Sequence, residues 1–216
     1  MRVMRFVCCQ NSGCIKLIFA CILATFCTCS IAVPEISGTR PANWAIPLVV
    51  SPGLPNFNRV SSSLYRSAQP TKEGFVLLSK QESLISGDHA IKTVVSLRAF
   101  NDDAPVVPKN SPLRLEQIRF KTWHPEDEDV VKFLRIAQTP SMQPLLVHCQ
   151  HGSDRTGTMV AIYRIAYEGW SKAQATEEMI NGGYGFHPMW QNLLGYIEKL
   201  DINKIKEQVA IQGDWQ

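Results

Sequence analysis

The segment VHCQHGSDRTG, residues 147–157, decides how the rest of the chain is interpreted. It follows the apolar run 144–148, which predicts a buried strand, and it leads into GTMVAIYRIAYE, which predicts a helix over residues 157–168. The residues between Cys149 and Thr156 must therefore turn tightly from the strand into the helix. In layered α/β proteins this place, at the carboxyl end of a strand, is where ligands bind.

The residues of this loop predict an anion-binding pocket. Backbone N–H groups in a tight turn can point inward together, and the positive end of the following helix adds to their field. Gly152 allows the backbone angles of such a turn, and Arg155 can donate two parallel hydrogen bonds to phosphate oxygens. The same field favours the nucleophilic thiolate of Cys149, and the Thr156 hydroxyl can donate a hydrogen bond to its sulfur.

The remainder of the chain predicts one α/β domain, with a mixed, partly parallel sheet flanked by helices and a helical C-terminal tail. The predicted strands are 57–60, 63–66, 91–97, 115–122 and 144–148. The first predicted helix begins after Thr71 and ends near Leu84, with Gly87 as its stop. Further helices are predicted over 127–139, 157–168, a segment from the Ser171 and Gln174 capping box to 181, 190–200 and 202–209.

The first 32 residues have the pattern of a secretory signal peptide. A basic start precedes the apolar run LIFACILATFC, and the small residues Ser30 and Ala32 precede a cleavage point before Val33. An uncleaved membrane anchor and a cytoplasmic protein are the alternatives. We expect export, to the periplasm or by secretion. Residues 33–55 then form an irregular N-terminal arm, 56–210 the main domain and 211–216 a C-terminal tail.

Removal of the leader changes the charge and the cysteine count. The chain has 22 basic and 19 acidic side chains, and loss of Arg2, Arg5 and Lys16 lowers the formal charge from +3 to 0. A neutral protein gives no electrostatic reason to expect a nucleic-acid partner or stable association with a membrane. Cys149 is then the one cysteine left of the seven in the chain, so no internal disulfide can form.

The motif HCQHGSDRTG resembles the H-C-x-x-G-x-x-R-[ST] loop of the cysteine-dependent protein tyrosine and dual-specificity phosphatases. The similarity extends from LYRSAQP, residues 64–70, to about residue 200, and is greatest to small exported bacterial members. It implies a protein tyrosine phosphatase-like domain over 56–210, no cofactor and a phosphorylated protein as partner. It also implies hydrolysis of phosphotyrosine through a phosphocysteine at Cys149, with phosphoserine and phosphothreonine as open possibilities.

The resemblance also assigns roles within the loop. The residues that would bind the phosphate are Gln150, His151, Gly152, Ser153, Asp154 and Arg155, with His148 and Thr156 in support. Two of these positions depart from the family pattern. Asp154 brings a negative charge beside Arg155, so we expect it to point away from the phosphate or to orient a neighbour. His151 is neither small nor the lysine of phosphoinositide-directed relatives. For His148, hydrogen bonding to the loop and simple burial are equal alternatives.

Members of this family use an acid on a separate loop to protonate the leaving oxygen. The candidate segment is WHPEDEDV, residues 123–130. We predict Asp127 as the acid, with Glu126 as the second choice. Glu128 and Asp129 are better placed to stabilise the first turn of the following helix, and helix capping is an alternative role for every acid in the segment.

Other site chemistries fit the sequence less well. A rhodanese-like sulfur transferase lacks the five-residue gap between Cys149 and Arg155, and a Walker loop needs Lys and Ser or Thr where Thr158 and Met159 stand. His148, Cys149 and His151 are too crowded to chelate one zinc ion, so we expect no metal. An inositol polyphosphate phosphatase of the same fold and a non-catalytic phosphate-binding module remain as alternatives.

Overall fold

The β-branched and apolar runs of the sequence form the centre of a six-stranded sheet. The structure, a computed structural model, describes residues 40–84 and 89–211. The strands are β1 (Ile46–Pro47), β2 (Asn58–Arg59), β3 (Leu64–Ser67), β4 (Thr93–Ser96), β5 (Arg114–Gln117) and β6 (Leu145–His148). Their order in the sheet is β1-β2-β3-β6-β4-β5.

The direction of the strands places several loops at one edge of the sheet. β6 pairs in parallel with both β3 and β4, and β4 pairs in parallel with β5. β1 and β2 extend the sheet beyond β3 in antiparallel pairing. The carboxyl ends of four parallel strands therefore meet at the same edge, with the end of β6 between those of β3 and β4. This confirms the predicted mixed sheet.

Alternate residues of the buried strands face two separate layers of helix. Val95 and Val147 pack into a large core formed mainly with the later helices, whereas Val94 and Leu146 pack into a smaller core with Phe75 of the first helix. This two-residue alternation follows from the strand period. The sheet is therefore covered on both faces, as the continuous apolar strands predict.

The helices are α1 (Lys72–Ser79), α2 (Asp127–Gln138), α3 (Asp154–Tyr167), α4 (Lys172–Asn181), α5 (Gln191–Lys199) and α6 (Ile202–Ala210). The predicted capping box is confirmed: the Ser171 side chain accepts from the Gln174 amide and the Gln174 side chain accepts from the Ser171 amide. Within the described ranges, no helix is both long and apolar enough to cross a bilayer.

Two predicted elements are longer than the observed ones. Helix α1 ends at Ser79, short of Leu84, because Gln81 adopts a left-handed backbone angle of 55° and its side chain donates to the carbonyl of Ile91. The fifth strand ends at Gln117, short of Thr122. The Ile118 amide still donates to the Ser96 carbonyl of β4 at 2.9 Å, but the alternation beyond Gln117 mainly reflects burial of Ile118 and Phe120 against the helical layer.

One prediction for the N-terminal arm is also corrected. Ile46–Pro47 is not irregular, since it pairs with β2 and extends the sheet. Helix α3 begins at Asp154, three residues before the predicted start at Gly157, so half of the loop belongs to its first turn. The predicted signal peptide, the helix stop at Gly87 and residues 212–216 lie outside the described residues.

Candidate active site

Cys149 lies at the point where β6 leaves the sheet. Its side chain is only 2% exposed. The Leu97 amide donates to the His148 carbonyl at 2.8 Å, which continues the ladder between β4 and β6 up to the residue before the cysteine. Helix α3 begins five residues later, at Asp154. The sulfur is thus fixed by the sheet on one side and by the helix on the other.

The backbone amides that follow Cys149 lack acceptors within residues 40–84 and 89–211. None of the N–H groups of residues 150–156 donates to another residue in the described part of the chain, and the first to do so is Gly157, which bonds to the Ser153 carbonyl at 2.7 Å. Ser153, the residue before the helix, makes no side-chain capping bond. Buried amides are nearly always paired in proteins. A run of free amides at a helix N-terminus has the chemistry of an anion site.

The carbonyls of the same loop are bonded from outside. Those of Gln150, His151 and Gly152 accept hydrogen bonds from Gln69 N at 3.3 Å, Asn56 Nδ2 at 3.0 Å and Arg66 Nη2 at 2.7 Å, respectively. The Ser153 hydroxyl donates to the Tyr184 carbonyl at 2.7 Å. Because the carbonyls are held on the outer side of the turn, the N–H groups are left facing its interior.

Arg66 supports the loop from a buried position. Its guanidinium lies 3.5 Å from the centre of the Tyr184 ring while it donates to the Gly152 carbonyl. Burial lowers the pKa of Arg66 because desolvation penalises the charged form, and the nearby Tyr184 and Glu178 act in the opposite direction. Desolvation also raises the pKa of Tyr184 to about 12, so its hydroxyl stays protonated and donates to Glu178.

The buried carboxylate of Glu178 also contacts the first described segment of the chain, residues 40–45. Glu178 accepts from the backbone amide of Ala45 and from the guanidinium of Arg164. Arg40 donates to the Tyr184 hydroxyl at 2.8 Å and to the Gly182 carbonyl at 2.6 Å. The segment at residues 40–45 is therefore linked through Glu178 and Tyr184 to Arg66, and through Arg66 to the loop.

Gly152 meets two requirements that another residue cannot meet. Its φ angle is +72°, in the left-handed region. A Cβ atom at this position would lie 2.6 Å from the Ala68 nitrogen and from the carbonyl carbon and oxygen of Ser67. These are backbone atoms of the neighbouring strand end, so they cannot move aside easily. The prediction that Gly152 permits the turn is consistent with this geometry.

His148 is bonded to a residue far away in sequence. Its Nε2 lies 2.8 Å from an oxygen of Asp103, and both residues are buried. Burial acts to raise the pKa of Asp103, but the hydrogen bonds from His148 and Gln69 and the charge of Arg98 together lower it below its usual range. Its Nδ1 lies 3.3 Å from the Cys149 carbonyl. Of the two alternatives for His148, these contacts favour hydrogen bonding in support of the loop, because the imidazole links the base of the loop to the segment after β4.

Arg155 and Thr156 differ in how they match their predicted roles. Arg155 lies on the first turn of α3, and Nη1 donates to the Leu97 carbonyl at 3.4 Å. Its other N–H groups have no acceptor among the described residues, which leaves the fork free for an anion. The predicted bond from Thr156 to the sulfur is wrong here: the hydroxyl is buried and has no partner in the described chain.

Asp154 points away from the interior of the loop, as expected. Its two oxygens accept from the backbone amide of His187 at 2.9 Å and from Nδ1 of the same residue at 2.8 Å. The carboxylate therefore orients the chain before α5. The side chain of His151 is exposed, and its ring centre lies 5.2 Å from that of His187.

The predicted acid is positioned by the helical layer. Asp127 is the first residue of α2, and its Oδ1 accepts from the Tyr196 hydroxyl at 2.9 Å. This bond and burial raise the pKa of Tyr196. Glu126, whose side chain is 40% exposed, lies within 3.6 Å of both Lys121 and His124. Burial and the charge of Glu126 raise the pKa of Asp129.

Sequence reasoning missed four residues that hold the site together: Arg66, Asp103, Tyr184 and His187. Arg66 stands in LYRSAQP, so the resemblance pointed at the segment without assigning it a role. The other three lie in loops whose residue types predict no contact with residues 148–154. Pairing of β3 and β4 with β6 brings Arg66 and Asp103 to the loop, whereas packing of α4 and α5 on α3 brings Tyr184 and His187 there.

Comparison with known proteins gives a consistent result. The family described as DSP-PTPase phosphatase fused to NAD+ kinase matches residues 47–188. Dual specificity protein phosphatase TpbA of Pseudomonas aeruginosa is 32% identical over 91% of this chain and 85% of its own length. The inositol diphosphatase SIW14 of Saccharomyces cerevisiae is 25% identical over 74% of this chain and 56% of its own length.

Solved structures show the same likeness. The crystal structure of P. aeruginosa TpbA superposes with a TM-score of 0.66 at 33% identity, covering 80% of this chain and 99% of that one. A Cys-to-Ser variant of TpbA in complex with phosphotyrosine gives 0.65 at 32% identity, covering 81% and 100%. The catalytic domain of SIW14 with citrate gives 0.58 at 25% identity, covering 71% and 91%.

The loop geometry predicts different outcomes for two glycines with similar backbone angles. Gly152→Ala should abolish binding of orthovanadate, because the new methyl group must displace the backbone at Ser67 and Ala68. Gly169 has a φ of +74° but nothing within 4 Å of its Cβ position. Gly169→Ala should cost only about 1–2 kcal/mol of stability, from the left-handed angle alone, and should bind vanadate normally.

Calorimetric titration with vanadate, together with urea unfolding of both variants, checks this prediction. Normal vanadate affinity in a folded Gly152→Ala protein would show that the close approach of the loop to β3 is not required.

Proposed function

The chain belongs to the dual-specificity phosphatase family, and we propose that it hydrolyses phosphotyrosine through a phosphocysteine formed on Cys149. The observation that carries this proposal is the run of free amides at residues 150–156 around a recessed sulfur, with the unpaired N–H groups of Arg155 beside it. Together these N–H groups form a binding site for the oxygens of a phosphoryl group.

The first chemical step uses the sulfur as nucleophile. The thiolate of Cys149 attacks phosphorus, so that a P–S bond forms while the bond between phosphorus and the ester oxygen breaks. Amides 150–156 and the Arg155 guanidinium stabilise the equatorial oxygens as their charge rises. Because the amides are already held by the bonds to their carbonyls, they need little reorganisation during the reaction.

The second step releases phosphate. The acid that protonated the leaving oxygen removes a proton from water, which attacks phosphorus as the P–S bond breaks. Asp127 is the proposed acid. Its hydrogen bond from Tyr196 holds one carboxylate oxygen and leaves the other for proton transfer. Phosphate then leaves and the thiolate is restored.

The edge of the site favours an aromatic substrate. Phe100 and Trp123 stack at 6.1 Å between ring centres and are 78% and 56% exposed. Phe100 follows closely after Leu97, whose carbonyl accepts from Arg155. An exposed aromatic pair near a recessed phosphate site is suited to the ring of a phosphotyrosine. TpbA, 32% identical to this chain, has been solved with phosphotyrosine.

Export is a further part of the proposal. Residues 1–32 direct the chain out of the cytoplasm and are removed before Val33, so the phosphatase acts in the periplasm or outside the cell without stable membrane attachment. The support is the basic start, the apolar run and the small residues before Val33.

Loss of the nucleophile is the main test of the chemistry. Cys149→Ser should lower kcat for p-nitrophenyl phosphate by roughly a thousandfold or more, because a serine hydroxyl is a far weaker nucleophile in this setting. Binding of phosphotyrosine should be retained, since the amides and Arg155 are unchanged. Arg155→Lys serves as the second variant and should weaken both turnover and binding, because the fork is lost.

A substrate panel decides between the named alternatives. The phosphotyrosine proposal fails if inositol polyphosphates are hydrolysed about a hundredfold faster than any phosphotyrosyl peptide, which would favour the inositol phosphatase. Wild-type protein that binds vanadate but hydrolyses no phosphomonoester would identify a non-catalytic phosphate-binding module.

The assignment of the acid predicts a dependence on the leaving group. Asp127→Asn should slow hydrolysis of phenyl phosphate by about a hundredfold or more, but should slow that of p-nitrophenyl phosphate much less, since p-nitrophenolate leaves without a proton. Glu126→Gln is the matched control and should leave both rates nearly unchanged. The opposite pattern, with the large effect in Glu126→Gln, would transfer the role to Glu126.

Expression of the full chain in a Gram-negative host tests export. We expect N-terminal sequencing of the periplasmic fraction to find a polypeptide that begins at Val33. Ala32→Tyr should block this cleavage, because the enzyme that removes signal peptides requires a small residue there. An intact chain in the membrane fraction of cells with the unmodified sequence would instead indicate an anchor.

A further inference from the structure

Three metal-ligating side chains meet on the outer side of the loop: His151, Asp154 and His187. Each offers one ligand atom, and these atoms all lie within 4.8 Å of one another. His151 and Asp154 belong to the loop itself, whereas His187 lies just before α5. From this juxtaposition we propose that the chain binds one divalent transition-metal ion, with Zn²⁺ as the representative, through these three residues.

The donor set suits such an ion. Two imidazoles and one carboxylate, with a fourth position left for water, form a common zinc environment. Ligands of one tetrahedral zinc ion, with bonds of about 2.0–2.1 Å, are separated by roughly 3.3 Å. The 2.8 Å between His187 Nδ1 and Asp154 Oδ2 is already close to this value. The His151 ligand atom must approach the others by up to about 1.5 Å, since all three lie within 4.8 Å of one another, and its exposed side chain can do this by rotation.

The ligands are oriented before the ion arrives. Asp154 is nearly buried, and its Oδ1 accepts from the His187 amide at 2.9 Å. That bond remains when Oδ2 becomes a ligand. When Nδ1 and Oδ2 become ligands, the single proton of a neutral imidazole that donates from Nδ1 moves to Nε2, and the ion takes its former place between the two atoms. A preoriented carboxylate and imidazole raise affinity for the ion.

The location of the cluster determines what the ion would do. The loop carbonyls and the Ser153 hydroxyl bond to Asn56 and Tyr184 on this same outer side, opposite the free amides. The ion therefore connects the loop to the segment at residues 184–187 without entering the anion pocket. We infer that it stabilises the loop and leaves the pocket open.

Metal titration tests this inference independently of the phosphatase activity. The background is the full chain with Cys149→Ser and with the six cysteines of residues 1–32 changed to serine, so that no thiol competes for the ion. Calorimetry with Zn²⁺ at a pH of about 7.5, where histidine is neutral, should find one ion per chain. His151→Gln and His187→Gln should each weaken binding by at least about tenfold.

His124→Gln is the matched control, because His124 is also an exposed histidine beside a carboxylate, Glu126 at 3.6 Å, yet belongs to no group of three. The Zn²⁺ affinity of the His124→Gln variant should stay within about twofold of that of the background protein. Co²⁺ should give intense visible absorption bands in the background protein that are lost in the two loop variants. Thermal unfolding without metal verifies that each variant is folded.

Three results would overturn the inference. They are the absence of Zn²⁺ binding at 100 µM, equal affinity in His151→Gln, His187→Gln and the background, and an equal loss in His124→Gln. If a histidine variant does not fold, the Co²⁺ spectrum of the background decides, since bands without imidazole character would exclude the site.

Discussion

The site depends on one constraint: the N–H groups of residues 150–156 have no acceptors among the described residues, while the carbonyls of residues 150–152 are hydrogen bonded to neighbouring segments. Free amides in a buried turn are unfavourable unless the turn is held by other contacts. Here the holding contacts come from β3, from the loop before β2 and from the segment before α5, through Arg66, Asn56 and Tyr184. The energy of those contacts maintains a pocket whose interior is complementary to an anion.

These contacts form one continuous system. Arg66 is buried with its charge over the Tyr184 ring, and the Tyr184 hydroxyl donates to Glu178. Glu178 in turn neutralises the buried Arg164 of α3, the helix whose N-terminus closes the pocket. A charge buried in this way is tolerated only when it is paired and hydrogen bonded. The packing of α3 against Glu178 and the shape of the phosphate-binding loop are thus coupled through the side chains of Tyr184 and Arg66.

The fold and the centre of the site could be predicted because their determinants are local. The loop is encoded within a few consecutive residues, and the β-branched run that forms β4 and the capping box of α4 are recognisable in the sequence. The end of α1 and the end of β5 could not be predicted, since Gln81 and Phe120 respond to tertiary contacts. The residues that hydrogen bond to the loop could not be predicted from the sequence for a related reason. Arg66 and Gly152 are 86 residues apart and meet because β3 pairs with β6. Asp154 and His187 are 33 residues apart and meet because α4 and α5 pack on α3.

The link from residues 40–45 to Glu178 and Tyr184 has a consequence for the order in which the molecule is made. The ribosome releases Arg40 early and Cys149 much later, but the contacts that shape the loop are complete only when residues 178–187 have also emerged. An unfinished polypeptide therefore carries its nucleophile without the surroundings that activate it. Those surroundings are complete only after nearly the whole domain has been synthesised.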